Sequence, residues 1–131
     1  MNNKHMSDKM LKRKGHYFGT EINEIWWKRY RRDKLFARGT GEYWYDDRVF
    51  CFRRYLTKAP IILSYTNIIE LKTGHWHAGK WGGGRPILKI IWQQDDVRLS
   101  SGFLLSRHRD VHQKILQQLQ NAIHAIKKQR S

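Results

Sequence analysis

The sequence predicts a mainly β domain of the α+β class, in which an antiparallel meander is followed by one long amphipathic helix. Three observations lead there. Between Leu35 and Ser106 apolar and polar residues alternate, as they do along strands with one wet face. Turn-forming pairs such as Asp46-Asp47 and Asp95-Asp96 interrupt that alternation at hairpin intervals. After Ser106 the period changes, and Val111, Ile115, Leu119, Ala122, Ile123 and Ile126 draw one stripe at helical spacing.

The elements follow in order. Residues 1–15 carry Lys9, Lys12, Arg13 and Lys14 with little to bury, so they read as a flexible basic tail. Residues 16–33 read as a short amphipathic helical segment, with the helix itself at 20–32. Ile22, Trp26 and Tyr30 recur every four residues there, Thr20 can cap, and Glu21 and Glu24 precede Lys28, Arg29, Arg31 and Arg32 in the order a helix dipole favours. The domain proper is then 34–131, with strands at 34–45, 48–55, 60–64, 67–73, 85–92 and 97–106. Gly39 and Gly41 in the first of these imply a bend or bulge. Residues 74–84 form a long glycine-rich connection. A C-terminal amphipathic helix at 107–129 ends the chain, with Ser106 as its N-cap and Asp110 at its positive end.

The run Gly41-Glu-Tyr-Trp-Tyr-Asp-Asp-Arg-Val-Phe-Cys-Phe-Arg-Arg-Tyr is followed by Ala59-Pro-Ile-Ile-Leu-Ser-Tyr-Thr-Asn-Ile-Ile-Glu-Leu. Together they resemble the first hairpin, short strand and isoleucine–isoleucine–glutamate strand of the pleckstrin-homology superfold, in particular its GRAM and bacterial pleckstrin-like branches. The resemblance implies a bent antiparallel sheet, or partly open barrel, of six to seven strands closed by the C-terminal helix. It also implies a binding module, since members mostly bind lipids, peptides or partner domains. In this alignment the first hairpin loop is Asp46-Asp47-Arg48, acidic where phosphoinositide-binding members carry cations, so no ligand residue of that family is carried over.

Charge narrows the classes of partner. The 26 Lys and Arg against 11 Asp and Glu give +15, an excess that attracts anionic lipid, acidic protein or nucleic acid. The uncharged run at 59–69 includes Pro60, Ser64, Thr66 and Asn67 and falls well short of the roughly 20 apolar residues a membrane helix needs. Without a secretory signal pattern at the start, a cytoplasmic location is expected, with contact at the membrane surface left open. Cys51, the single cysteine, permits no internal disulfide and reads as an inert buried thiol.

Two segments combine aromatic and cationic residues in the pattern that anionic surfaces and exposed bases favour. One holds Trp26, Trp27, Lys28, Arg29, Arg31 and Arg32; the other holds Trp76, Lys80, Trp81 and Arg85 among flexible glycines whose amides can receive an acidic group. The leading expectation is a non-enzymatic binding module, without a cofactor, that engages an anionic membrane or an acidic protein segment. Its rival is a sequence-nonspecific nucleic-acid-binding protein using the same cations. A metal-dependent enzyme built on His75 and His77, which would share one side of an extended backbone, comes third. His108 and His112 have the spacing of a helical metal pair but read as solvent-exposed.

Overall fold

The computed structural model describes residues 11–30 and 37–130. Within them run β1 (Arg13–Ile22), β2 (Ile25–Arg29), β3 (Gly39–Tyr45), β4 (Val49–Arg54), β5 (Ile61–Ser64), β6 (Ile68–Gly74), β7 (Trp76–His77), β8 (Lys80–Trp81), β9 (Ile87–Gln94), β10 (Val97–Leu104) and a single helix, α1 (Arg109–Arg130). A 3-10 turn at Tyr65–Asn67 joins β5 to β6.

One antiparallel sheet of eight strands has the order β5-β4-β3-β1-β10-β9-β6, with β2 attached to β1. The sheet is bent and its edge strands do not meet, so no barrel closes. Strand β1 is the hinge of this arrangement. Its first half pairs with β3, its second half with β2, and β10 runs along its other side with a bulge between Tyr17 and Gly19.

This corrects the expected helix at 20–32. Asn23 (φ +54°) and Glu24 (φ +56°) are both in the left-handed region, forming a tight turn between β1 and β2 where a helix would need negative φ. The four-residue spacing of Ile22, Trp26 and Tyr30 is therefore incidental to a hairpin. Pairing on both sides of β1 outweighs the local helical pattern. Part of the expected basic tail belongs to the sheet, since Arg13, Lys14 and Gly15 pair with Tyr43, Glu42 and Gly41; residues 1–10 lie outside the described residues. Nor does the sheet begin at residue 34, since β1 supplies its middle. Eight strands, against an expected six to seven, result from this added hairpin.

Other boundaries move by a few residues. The register of β3 against β4 is continuous from Gly41 to Tyr45, so the expected bulge at the glycines is absent there. The β3–β4 turn is as read: the Asp46 carboxylate accepts from the N–H groups of Arg48 (2.7 Å) and Val49 (2.9 Å). Because β1 and β2 form the first hairpin along the chain, this acidic turn belongs to the second.

Inside the bend, Tyr17, Phe50, Phe52 and Phe103 form an aromatic centre, with ring centroids 5.0 Å apart for Phe50 and Phe103 and 5.2 Å for Tyr17 and Phe103. Helix α1 covers it with Ile115 and Leu119. The expected stripe faces the core from Ile115 to Ile126 and departs only in the first turn: Val111 is 38% exposed while His112 is 2% exposed, its Nε2 3.0 Å from the Thr73 hydroxyl. His112 is thus not a solvent histidine. Cys51 is buried, and burial first, then the Asp46 charge, pushes its thiol up to about 11, in keeping with an inert role.

Candidate functional site

The glycine-rich connection is folded into a ribbon rather than an open loop. Strands β7 and β8 pair Trp76 with Trp81 and His77 with Lys80, around a turn of Ala78 (φ +51°) and Gly79 (φ +79°). Two consecutive left-handed residues are what a tight hairpin requires. Phe103 points into the core, so its neighbour Gly102 presents the opposite face of β10, and there the ribbon docks.

Several contacts fasten it. His77 is 1% exposed and its Nε2 donates to the Gly19 carbonyl at 3.1 Å. Ala78, fully buried, donates its N–H to the Glu21 carboxylate at 2.7 Å, while its carbonyl accepts from the guanidinium groups of both Arg29 and Arg38. Covered on both faces, β1 is buried without interruption from Tyr17 to Glu21, which is why it does not show an amphipathic strand pattern.

The ribbon separates two clefts. On one side a cleft of about 470 Å³ is lined by Lys14, His16, Lys80, Trp81, Arg85 and Arg107, with no Asp or Glu among its described lining residues. His16 registers this field: burial, then the charges of Lys80 and Arg38, hold its imidazole below the usual range. On the other side Trp26 and Trp76 flank an opening over Glu21 and His77. Trp76 and Trp81 lie side by side with ring centroids 6.3 Å apart, and Trp26 and Trp27 meet edge to face at 5.5 Å. All four indoles are more than half exposed.

The structure therefore divides the candidate residues. Lys80, Trp81 and Arg85 line the basic cleft, Trp26 and Trp76 the second opening, and Trp27 and Lys28 stand exposed on β2. Arg29 is engaged with the ribbon turn; Arg31 and Arg32 lie outside the described residues. The amide of Gly82 is taken by the His75 carbonyl at 2.8 Å and is not open to a ligand. His75 and His77 do not converge, because the bend between β6 and β7 breaks the alternation: His75 faces a small cleft beside His112, and His77 is buried under the ribbon. No cluster of three or more His, Cys, Asp or Glu side chains forms among the described residues. Lys14, Arg107, Glu21, Lys89 and Ser100 were not legible as site residues, since each comes from a different part of the chain.

The buried imidazoles set an expected pH dependence. Burial lowers the proton affinity of His77 against a smaller opposing pull from Glu21, and burial alone lowers that of His112. The unfolded chain takes up these protons near pH 6.5, the folded chain only at lower pH, so stability falls as pH drops through this window and is level above about 7.5. Urea midpoints at pH 7.5 and 5.5 check this, and His112→Gln should reduce the difference, leaving the part that His77 contributes. Equal wild-type midpoints would refute it.

A bent antiparallel sheet, ordered so that the first strand joins its two halves and one C-terminal helix closes it, defines a pleckstrin-homology-like domain with its candidate surface around a tryptophan-bearing ribbon. A family model described as bacterial PH domain-like matches residues 2–120, and the chain belongs to that family. No curated protein matches the sequence. The family points to a binding module. No helix among the described residues is long and apolar enough to cross a membrane.

Proposed function

We propose that the protein is a peripheral binding module that holds an acidic partner in its basic cleft, with an anionic membrane surface as the first such partner. One observation carries this reading: Lys14, Lys80, Arg85 and Arg107 surround a cleft without a facing carboxylate, beside the exposed Trp81. Cations gathered without counter-charge are held together against their own repulsion, and an anion relieves it. Exposed indoles next to them suit the headgroup region, where ring and N–H find apolar and polar surroundings together. An acidic protein segment would meet the same cations and is the second partner in order.

Cosedimentation with phosphatidylcholine vesicles, with and without phosphatidylserine, tests the proposal. Binding is expected only with the anionic lipid. Each cation near the surface contributes about 1 kcal/mol, so the triple variant Lys80→Gln, Arg85→Gln, Arg107→Gln should bind on the order of 100-fold more weakly. Equal binding to both vesicles, or an unaffected triple variant, would sink the membrane reading. Indifference to vesicles combined with oligonucleotide binding that collapses as salt rises would assign the cleft to nucleic acid instead.

A further inference from the structure

The second opening, on the far side of the ribbon, has a volume of about 510 Å³ and chemistry unlike that of the basic cleft. Its base is made by Glu21, His77 and Ser100, 5%, 1% and 1% exposed; Lys89 is in its wall, and Trp26 and Trp76 flank its mouth. Glu24, also on the rim, is occupied by Lys72 at 2.8 Å and Arg98 at 3.1 Å. A volume of this order suits a small organic ligand.

One buried nitrogen at the base has no partner. Gly19 offers a carbonyl, which can only accept, so the His77 nitrogen 3.1 Å from it, Nε2, carries the ring proton. Burial lowers the ring's affinity for a second proton, and in the neutral ring Nδ1 is a bare acceptor. That nitrogen has no hydrogen-bond partner and lies 3.8 Å from the Glu21 carboxylate, another acceptor. The Ser100 hydroxyl, equally buried, is also unpartnered.

Cations are few in the same place. Arg29 and Arg38 both turn to the Ala78 carbonyl and do not line the opening. Lys89 is the one cationic side chain among the described lining residues, close enough to weigh against protonation of His77. Glu21 accepts from the Ala78 N–H, but nothing donates to His77 Nδ1, and a buried acceptor without a donor is costly unless a ligand supplies the proton.

We propose that this opening binds a small zwitterion, a primary ammonium joined through a few bonds to an acidic group. The ammonium donates to the Glu21 carboxylate and to His77 Nδ1, with the indoles of Trp26 and Trp76 presenting their electron-rich faces to its charge. The acidic group meets Lys89. Such a ligand exists free in solution and as the ethanolamine phosphate headgroup of a membrane lipid, and both present the same atoms. This site is separate from the basic cleft and does not depend on the reading given to that cleft.

The test is a titration of the protein with phosphoethanolamine and with β-alanine, followed through the indole N–H signals of Trp26 and Trp76 by NMR. Saturable shifts are expected, with dissociation constants on the order of 1 mM or tighter. Phosphocholine, whose quaternary ammonium has no N–H to donate, should bind at least tenfold more weakly than phosphoethanolamine. Glu21→Gln should abolish the shifts, since its amide oxygen can still accept from Ala78 while the charge is gone. If that variant fails to fold, Lys89→Gln decides: it should weaken phosphoethanolamine at least tenfold and leave ethanolamine unchanged. Vesicles of phosphatidylethanolamine against phosphatidylcholine separate the lipid-borne from the free source. The proposal is overturned if neither zwitterion gives saturable shifts, if phosphocholine binds as well as phosphoethanolamine, or if the deciding variant binds as the wild type does. The triple variant of the basic cleft should bind phosphoethanolamine unchanged, so failure of one reading is distinguishable from failure of the other.

Discussion

Replacing Gly41 with alanine is expected to lower stability by about 3 kcal/mol or more, at the top of the range for overpacking a close contact. Two effects of opposite sign compete at this position. An alanine restricts the unfolded chain, which at a compatible extended position stabilises by up to about 1 kcal/mol. Against this, a Cβ at Gly41 would lie 2.1 Å from the Arg53 carbonyl oxygen and 2.7 Å from the Arg54 Cα. Both are backbone atoms of β4 and cannot rotate aside. Gly41 is also paired with Gly15 of β1, so β3 has no free side toward which to yield. The contact wins, and the loss corresponds to a melting temperature lower by about 10 °C for a chain of this size. Thermal unfolding followed by circular dichroism reads this directly; a midpoint equal to or above the wild type would show that β4 moves away without cost.

Gly102→Ala is the second large effect, and it acts through the site rather than the core. A Cβ there would stand 2.5 Å from the His77 ring atoms Cγ and Cδ2. The ring is enclosed and its Cβ is only 3.0 Å from the same point, so it cannot swing clear without lifting β7. Displacement breaks the bond from His77 to Gly19 and strains that from Ala78 to Glu21. A loss of about 2–3 kcal/mol is expected, together with altered environments for Trp76 and Trp81. The double variant with His77→Ala discriminates the cause. If the ring is the obstacle, its removal relieves the clash, and Gly102→Ala should cost at least about 1 kcal/mol less in that background. Strict additivity would mean that the ribbon is not seated as described.

The hairpins β3–β4 and β9–β10 were legible because their information is local. Asp46 closes one turn through its own carboxylate, and Asp95 and Asp96 adopt the left-handed conformations that end the other, at φ +52° and +65°. The helix was legible for the same reason, through its period. Its first turn was not. Whether Val111 or His112 faces inward there depends on where the 3-10 turn and β6 receive α1, while Ile115, Leu119, Ala122, Ile123 and Ile126 lie on the core side as their spacing requires. The β1–β2 hairpin was misread because its residues also fit a helix. Only the partners β3 and β10 on either side of β1 decide the question.

The candidate surface divides along the same line. Alternation, period and composition act within one segment, so the antiparallel meander, the terminal helix and the tryptophans and cations gathered at 26–32 and 76–85 can be read along the chain. Folding adds what no single segment holds: Lys14 and Arg107 join Lys80 and Arg85, Arg29 is engaged with the ribbon turn, and Glu21, His77, Ser100 and Lys89 meet. The physical reason is that a cleft is made of side chains from strands adjacent in the sheet but distant along the chain. Register and the bend of the sheet determine their convergence, and neither is written in any one segment.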